Sequence, residues 1–468
     1  MALVDLVQQG GKMKNIETAN LYELFVECNS SVCTDSRSVK EGDLFFALKG
    51  ENFDGNNYAC SALEKGATYA VIDSEQVYEA NEGLQERLVL VEDVLTALQQ
   101  LSRYNRLRYK VPVIALTGTN GKTTTKELIT ATLSAKYNVV STQGNLNNHI
   151  GVPLTLLRIN ADTQVAVIEM GASAPGEIDT LVNLACPSFG LITNVGKAHL
   201  LGFGSFEGVK KTKGELYDNL FEHKKIAFVN VDNPHLMEMV HQRDSLHIVP
   251  YGMKNNCVEV VEECDNPFLR LTMPNPCSTC EPARIEVKTN LIGKYNVDNV
   301  LAALCISSYF DVPTDAAVAA IAAYTPSNNR SQMTKTEKNT LIIDAYNANP
   351  TSMRASVENF DSLNFEQKVL VLGDMRELGA DSLKEHSEFV EYLACVKVEK
   401  VFLVGEEFEK AVENLKIDKA EIVNKIPLML FKDSLALNEY LMGESLCGKT
   451  ILIKGSRGIR LERIFGSL

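Results

Sequence analysis

The sequence ALTGTNGKTTT, residues 115–125, stands between an apolar run and a helical pattern. In this setting a glycine-rich loop turns its backbone N–H groups toward the phosphates of a nucleotide. We predict that Gly118 and Gly121 provide the turns, that Lys122 supplies a charge for the β- and γ-phosphates, and that the Thr123 hydroxyl can bind Mg²⁺. The stretch therefore predicts a strand–loop–helix unit in a protein that uses ATP.

The loop departs from the usual phosphate-binding pattern at one position. That pattern has glycine five residues before its second glycine, where this chain has Leu116. The residues alone leave open a glycine and threonine turn that binds nothing. Residues 117–124 resemble the variant of the Mur ligases and folylpolyglutamate synthases, which join an amine to a carboxylate with ATP. The resemblance implies that ATP is bound by Gly118, Thr119, Asn120, Gly121, Lys122, Thr123 and Thr124.

Length and composition restrict the class of protein. The chain has 468 residues, 45% of them hydrophobic, enough for about three domains. A net charge of −14 without a long basic run argues against nucleic-acid binding. We find neither a membrane-length apolar stretch nor an export signal, and an odd number of 11 scattered cysteines favours a reducing compartment. We therefore expect a cytoplasmic protein without membrane insertion.

The alternation of strand and helix patterns predicts an α/β protein of three domains. Residues 1–110 mix short strands and helices and form a small N-terminal module. Residues 111–325 predict a P-loop ATPase-like parallel sheet with helices on both faces, with a small antiparallel insertion at about 258–288. Residues 326–468 predict a Rossmann-like, doubly wound domain after a hinge at 325–329.

Three residues beyond the loop are candidates for a metal site. Glu169 ends a strand pattern, where its carboxylate suits Mg²⁺ and a helix cap is the alternative. His199 follows another strand pattern, although a lone histidine is more often structural. Lys213 belongs to the basic run 210–213, which by itself is typical of a solvated face.

The resemblance to the Mur ligases gives these three residues roles. It implies that Glu169 and Thr123 bind Mg²⁺, that His199 binds a second Mg²⁺, and that CO₂ carbamylates Lys213. A carbamate turns the cation into an anionic oxygen ligand, and its formation requires a neutral amine. Lys122, His199 and Lys213 are the catalytic residues that the resemblance implies.

Further residues are carried over from the same family. Residues 293–299 resemble the family's Gly-x-His-Asn-x-x-Asn segment, with Tyr295 in place of the histidine. The resemblance implies that Asn296 lies near adenine, whereas the residues alone also allow a helix cap. It likewise implies that Arg330 reaches the nucleotide phosphates and that Asp344 lies near the ribose.

The N-terminal module resembles the part of the family that binds the UDP end of its substrate. The matching motifs are residues 35–37 and 42–50. The resemblance implies that Ser36, Arg37, Asp54 and Gly55 bind this substrate. Asn56 departs from the pattern, which usually has histidine there.

Motifs at residues 344–353, 373–379 and 454–458 resemble the branch of the family that adds D-alanyl-D-alanine to a UDP-N-acetylmuramoyl-tripeptide. The resemblance implies these two substrates, ATP and two Mg²⁺ ions. Asn347, Asn349 and Arg376 are candidates for the dipeptide or for domain closure, with capping or a turn as the alternative. Another Mur-type or folylpolyglutamate-type ligase remains an alternative, as does a P-loop ATPase switch. We expect a monomer.

Two features stay outside this scheme. Cys277 and Cys280 form a lone C-x-x-C, for which an ordinary turn is the favoured interpretation over a metal or redox site. Residues 1–12 precede a second methionine and are interpreted as an extension.

Overall fold

The computed structural model describes residue 14 and residues 16–261, 266–275, 283–327, 329–415, 427–444 and 446–468. Cys277, Cys280 and residues 1–12 lie outside the described residues. The chain forms two compact units: the first unit is Met1–Ala115, Asn138–Gly171 and Asp179–Ser188, and the second unit is Leu116–Tyr137, Ala172–Ile178 and Phe189–Leu468. The domain boundaries predicted at about 110 and 325 stay predictions.

The described residues alternate strands and helices along the whole chain. The strands are β1 Val32–Cys33, β2 Leu44–Phe46, β3 Lys49–Gly50, β4 Phe53–Asp54, β5 Tyr69–Ile72, β6 Leu88–Leu90, β7 Val113–Thr117, β8 Val139–Ser141, β9 Val165–Glu169, β10 Phe189–Ile192, β11 Ile226–Asn230, β12 His247–Tyr251, β13 Glu259–Val260, β14 Phe268–Pro274, β15 Arg284–Ile292, β16 Gln332–Lys335, β17 Thr340–Asp344, β18 Lys368–Gly373, β19 Lys400–Val404, β20 Leu428–Phe431 and β21 Thr450–Lys454. The α-helices are α1 Thr18–Glu27, α2 Ala59–Glu64, α3 Glu75–Ala80, α4 Val94–Arg108, α5 Lys122–Ser134, α6 Gly151–Leu156, α7 Glu177–Ala185, α8 Leu200–Phe203, α9 Phe206–Glu222, α10 Pro234–His241, α11 Val297–Tyr309, α12 Thr314–Ala323, α13 Pro350–Ser362, α14 Ser382–Leu393, α15 Glu406–Asn414 and α16 Ser434–Gly443.

The N-terminal sheet has four parallel strands in the order β1-β2-β5-β6. Successive side chains of a strand point to opposite faces, so each strand contributes to two cores. Leu44 and Phe46 pack with residues of α1 and α4. Phe45, between them, packs in a second core with Tyr78 of α3. Helices therefore cover both faces of this sheet, as buried parallel strands require.

The second large sheet carries the phosphate loop. It has six strands in the order β12-β11-β10-β7-β9-β8. All five residues of β7 are buried, which explains why the strand reads as an unbroken apolar run. A three-stranded antiparallel sheet, β13-β14-β15, follows along the chain and confirms the predicted antiparallel insertion.

The C-terminal sheet has the order β16-β17-β21-β18-β19-β20. Only β16 pairs antiparallel among these described strands. Leu341 and Ile343 face a core with α16, whereas Ile342 faces a core with α13, α14 and α15. The sheet is therefore doubly wound, and the predicted α/β class with parallel sheets is confirmed. No helix in the described ranges has both the length and the apolar character of a membrane span.

Candidate active site

The phosphate loop joins the end of β7 to the first residue of α5. Gly118 has φ +144° and Gly121 has φ +77°, in the region that favours glycine. A Cβ on Gly118 would lie 2.0 Å from Thr193 Oγ1, and one on Gly121 would lie 2.6 Å from Asn299 Oδ1. Both the backbone conformation and the lack of space thus require glycine at these two positions.

Residues that follow β10 hold the loop in shape. Thr119 N donates to the Asn194 carbonyl oxygen, and Asn120 N donates to Asn194 Oδ1, both at 2.9 Å. The Thr193 hydroxyl donates to the Asn120 carbonyl oxygen at 2.7 Å. The loop is therefore pre-organised by the protein itself, as electrostatic catalysis requires.

The charged and hydroxyl groups of the loop lie at the start of α5. Lys122 Nζ donates to the carbonyl oxygens of Gly118 at 2.8 Å and Thr119 at 3.1 Å. Its positive charge is thereby kept over the loop. Thr123 is buried in the first turn of the helix, and Thr124 follows it half-buried. These positions are the ones at which a helix N-terminus binds phosphate.

A chain of amides links the proposed adenine segment to the loop. Asn296 Nδ2 donates to the Ile292 carbonyl oxygen, Asn299 Nδ2 donates to Asn296 Oδ1, and the Thr125 hydroxyl donates to Asn299 Oδ1, each at 2.9 Å. Asn296 stands at the N-cap position of α11, but within the described part of the chain its side chain makes no capping hydrogen bond. Asn296 instead connects the start of α11 to the phosphate loop.

Helix α9 buries Lys213, for which the described residues provide no close ionic partner. Its side chain is 2% exposed, Nζ lies 3.4 Å from the Ala172 carbonyl oxygen, and Nζ lies 5.4 Å from the centre of the Phe203 ring. Burial is the main cause, and the nearby charge of Lys122 the second, that together lower the pKa of Lys213 to about 7. A solvated basic face, the interpretation open from the sequence, is therefore wrong for this residue.

His199 and its neighbour Lys197 both meet glutamates from the C-terminal part of the second unit. His199 Nδ1 contacts the Glu377 carboxylate. Lys197 Nζ donates to Glu385 Oε1 at 2.6 Å. The segment after β10 is thus held from two sides, by the loop it supports and by these acids.

Glu169 ends β9 in the first unit. The residue is 1% exposed, and its Oε1 accepts a hydrogen bond from Asn147 Nδ2 at 2.8 Å. Its backbone N donates to the Thr142 hydroxyl at 2.9 Å. These contacts fix a buried carboxylate at the end of a strand.

Arg330 and Asp344 lie in the C-terminal part of the second unit. The Arg330 guanidinium stacks on the Tyr346 ring at 3.8 Å from its centre. Asp344 pairs with the buried Lys454 at 2.5 Å and accepts a hydrogen bond from the Ser356 hydroxyl at 3.1 Å. Both side chains therefore have fixed neighbours.

The candidates for the dipeptide differ in their surroundings. Asn349 caps α13, since its Oδ1 accepts from Ser352 N at 2.9 Å, and its Nδ2 donates to Asn120 Oδ1 of the loop at 2.7 Å. Asn347 is exposed and accepts from Ala348 N at 2.9 Å. Arg376 is exposed, and its backbone N donates to the Ser456 hydroxyl. The structure brings Asn349 alone of these three to the phosphate loop.

The N-terminal candidates bond mainly to one another. Arg37 is exposed and makes a two-point ion pair with Asp35, which lowers the pKa of that carboxyl to about 2. Ser36, beside them, accepts from Lys65 through its carbonyl oxygen at 2.7 Å.

Asn56, which replaces the family histidine, has an internal role. It is 1% exposed, and its Nδ2 donates to Asp54 and to Asp73, each at 2.7 Å. A Cβ on Gly55 would lie 2.4 Å from the Leu48 carbonyl oxygen. The amide of Asn56 is thus used to hold the turn that carries Asp54 and Gly55.

Three residues of the site were not assigned from the sequence. Asn194 and Asn299 hold the phosphate loop, and Glu377 contacts His199. Asn194 directly follows a strand pattern, and the other two lie within quoted motifs. Their positions at a strand end or within a motif marked them as candidates, but their contact partners are distant in sequence and could not be predicted.

Metal binding needs more than acidic and histidine side chains here. The described residues contain no group of three His, Cys, Asp or Glu side chains that could bind a metal ion. A Mg²⁺ site on this chain therefore requires further oxygen ligands, such as a hydroxyl, phosphate oxygens or a modified lysine.

Family models match three consecutive parts of the chain. The model described as Mur ligase family, catalytic domain, matches residues 30–106, the Mur ligase middle domain matches residues 116–307, and the Mur ligase, glutamate ligase domain, matches residues 329–457.

Individual proteins are similar over nearly the full length. UDP-N-acetylmuramoyl-tripeptide–D-alanyl-D-alanine ligase of Bacillus subtilis (strain 168) is 34% identical over 93% of this chain and 92% of its own. A crystal structure of MurF from Acinetobacter baumannii has a TM-score of 0.80 and 31% identity, covering 94% of this chain and 93% of its own. The MurF ligase of Thermotoga maritima in complex with ADP has a TM-score of 0.76 and 27% identity, covering 93% of this chain and 96% of its own.

Proposed function

The chain belongs to the Mur ligase family, and on that premise we propose that it joins D-alanyl-D-alanine to a UDP-N-acetylmuramoyl-tripeptide with ATP. The product is a precursor of peptidoglycan. The observation that carries the proposal is the near full-length similarity to the Bacillus subtilis ligase. We further propose a monomer that acts in the cytoplasm.

The reaction couples two displacements. The free carboxylate of the tripeptide attacks the γ-phosphorus of ATP, ADP leaves, and an acyl phosphate is formed. The amino group of D-alanyl-D-alanine attacks the acyl carbon, loses a proton and expels phosphate, and an amide remains. The first step spends ATP to make a carboxylate electrophilic.

The loop supports the first step. Its glycines bring backbone close to phosphate, and Lys122 holds a positive charge over the loop through two carbonyl oxygens. Negative charge that develops on the transferred phosphoryl group is stabilised by such fixed donors and charges. Gly118, Thr119, Asn120, Gly121, Thr123 and Thr124 complete the proposed ATP site, with Asn296, Arg330 and Asp344.

The proposed ligands fit Mg²⁺ by their chemistry, because most of them are oxygen donors. They are the Thr123 hydroxyl, the Glu169 carboxylate, the His199 imidazole and a carbamate on Lys213, for two ions in all. When bound, Mg²⁺ offsets the charge of the phosphates during transfer. The buried Glu169 carboxylate, fixed by Asn147, supports its part in this set.

A carbamate on Lys213 is supported by the burial of this lysine. The neutral amine attacks the carbon of CO₂, an N–C bond forms, and the amine releases a proton, so that an anionic carbamate results. Burial lowers the pKa of Lys213 to about 7 and thus provides the neutral amine at physiological pH.

Water must be kept from the acyl phosphate, because it would hydrolyse it. Asn349 reaches the phosphate loop from the C-terminal part of the chain, which supports a role in closure. We propose that Asn347 and Arg376, both exposed, contact the dipeptide. Ser36, Arg37, Asp54 and Gly55 are the proposed residues for the UDP end.

A phosphate-release assay over a panel of acceptors tests the proposal. We expect release only with the UDP-N-acetylmuramoyl-tripeptide, and completion of the amide with D-alanyl-D-alanine. Completion with glutamate or diaminopimelate instead would identify a folylpolyglutamate-type or another Mur-type ligase. Rapid turnover with ATP alone would identify an ATPase switch and overturn the proposal.

A further inference from the structure

The imidazole of His199 is fixed by two neighbours. Its Nδ1 contacts the carboxylate of Glu377. The ring of Phe203 stands nearly perpendicular to the imidazole, with the ring centres 6.2 Å apart. One ring nitrogen of His199 is therefore already committed to an anion.

Both residues of this pair have an unusual backbone. His199 has φ +52° and Glu377 has φ +66°, a region that residues other than glycine rarely adopt. Leu201 N donates to the Glu377 carbonyl oxygen at 3.4 Å, and a Cβ on Gly379 would lie 3.4 Å from Leu201 Cα. The backbones of residues 377–379 and 199–201 therefore lie in contact. The strained backbone of His199 and Glu377 is of a kind that persists mainly at functional sites.

The contact bears on which ring nitrogen of His199 is free for a metal ion. A carboxylate oxygen accepts hydrogen bonds, so the contact with Glu377 suits an imidazole that has its proton on Nδ1. A neutral imidazole protonated at Nδ1 has its lone pair on Nε2. Metal-binding histidines commonly donate their other ring N–H to a carboxylate or carbonyl in this way.

We propose that Glu377 is a positioning residue that orients His199, so that Nε2 is the nitrogen presented to a metal ion. The inference rests on the proposed function, because it takes His199 as a Mg²⁺ ligand. It adds that a residue from the C-terminal part of the chain, Glu377, sets the orientation of this metal ligand. The metal site and the docking of residues 377–379 are then coupled.

A neighbouring ion pair provides a matched control. Glu385 contacts Lys197, two residues before His199, at 2.6 Å. Like Glu377, it brings a carboxylate from the C-terminal part of the chain to the segment after β10. A change at Glu385 removes a docking contact of similar kind, whereas a change at Glu377 also removes the partner of His199.

The experiment measures the affinity for Mn²⁺ in the full chain with a non-hydrolysable ATP analogue. Free Mn²⁺ is read from its electron paramagnetic resonance signal, and thermal unfolding checks that each variant is folded. We expect Glu377→Ala to weaken the binding by about 10- to 100-fold. Glu377→Gln, whose amide oxygen still accepts, should restore most of it, and Glu385→Ala should leave it within about twofold of the unchanged protein.

A second readout does not depend on metal. The side-chain ¹⁵N shifts of His199, assigned through their loss in His199→Gln, should report protonation at Nδ1 in the unchanged protein and a mixture of tautomers in Glu377→Ala. Equal losses of Mn²⁺ affinity in Glu377→Ala and Glu385→Ala would reduce Glu377 to a docking contact and overturn the proposal. Tighter binding in Glu377→Ala would overturn it as well, since Glu377 would then compete with the metal. A protein that binds Mn²⁺ in this pattern but never joins D-alanyl-D-alanine would refute the proposed function and leave the role of Glu377 intact.

Discussion

Lys210 and Lys213 lie one turn apart on α9, and their surroundings act on them in opposite directions. Lys210 Nζ donates to both carboxylate oxygens of Glu238 at 2.8 Å and to Glu207 at 3.2 Å, and its pKa is raised. Lys213 is buried beside the charge of Lys122, and its pKa is lowered to about 7. One lysine keeps its proton, and the other readily loses it.

The comparison shows that the solvent exposure of the whole side chain does not by itself decide the charge of a lysine. The two residues are 7% and 2% exposed, a small difference. What differs is the environment of the amine. At Lys210 the hydrogen bonds to Glu238 and Glu207 outweigh desolvation, whereas at Lys213 desolvation and the charge of Lys122 outweigh the opposing effects of Glu177 and Glu215. The same helix face thus holds a structural cation and a reactive amine.

The largest expected effect is the loss of activity in Lys213→Ala. Removing one charged group from a transition-state site costs on the order of 10²- to 10³-fold in kcat. Short carboxylic acids added to the assay should restore part of the activity, because they can replace the carbamate oxygens. Full activity of Lys213→Ala without such acids would remove the carbamate from the mechanism.

Lys210→Ala is the matched control for that experiment. It should keep its activity, since Lys210 pairs with Glu207 and Glu238 rather than with the loop. With ¹³C-labelled bicarbonate, one carbamate signal should be present in the unchanged protein and in Lys210→Ala, and absent in Lys213→Ala. A carbamate signal that is lost in Lys210→Ala and kept in Lys213→Ala would show that Lys210, not Lys213, is the modified residue.

The next largest effect concerns stability against pH. Lys213 has a pKa of about 7 in the folded chain and an ordinary value of 10.5, so the unfolded state binds more protons between these values and stability rises with pH there. The cost of burying this lysine is fully present below about pH 7 and disappears toward pH 10.5. Lys213→Met should therefore be more stable than the unchanged protein at pH 6 by a few kcal/mol, since one pKa unit corresponds to about 1.4 kcal/mol.

Urea unfolding in CO₂-free buffer at pH 6 and pH 9.5 measures this difference. The stability advantage of Lys213→Met over the unchanged protein should be clearly smaller at pH 9.5 than at pH 6. Lys210→Met provides the control, because a raised pKa moves the titration of that residue above this range. A difference for Lys213→Met that is the same at both pH values would mean that Lys213 is charged throughout.

The smallest effect is expected for the ion pairs of Lys210. Glu238 and Glu207 are half exposed or more, so solvent screens their attraction for the lysine. Lys210→Gln should lower the free energy of unfolding by less than about 1 kcal/mol. A loss of several kcal/mol in the same denaturation experiment would show that the ion pairs of Lys210 contribute strongly to the stability of the fold.

Much of the fold could be predicted because its signals are local. The apolar run before the phosphate loop forms β7, and the helical pattern after the loop forms α5, which begins at Lys122. Each strand is a short apolar run that ends in glycine or polar residues, as buried parallel strands require. The candidate residues at these strand ends could be named for the same reason.

The partners of those residues could not be predicted, since they depend on contacts between distant segments. The run 210–213 has lysine at three of its four positions, and the sequence does not reveal that Lys210 contacts Glu238 while Lys213 is desolvated beside Lys122. Likewise, the amide of Asn56 stands in a position where the family pattern has histidine, and its internal bonds to Asp54 and Asp73 follow from the folded module. Such pairings become visible only in three dimensions.

The side chain of Asn349 has a consequence for which substitutions the protein can tolerate. Its oxygen caps α13 and its nitrogen reaches Asn120, so the two halves of one amide serve the fold and the loop separately. Aspartate or serine would still cap the helix, because both accept from the backbone, but neither could donate to Asn120 as the amide does. A library of variants at this position would therefore sort into chains that do not fold, chains that fold but have lost the link to Asn120, and the native amide.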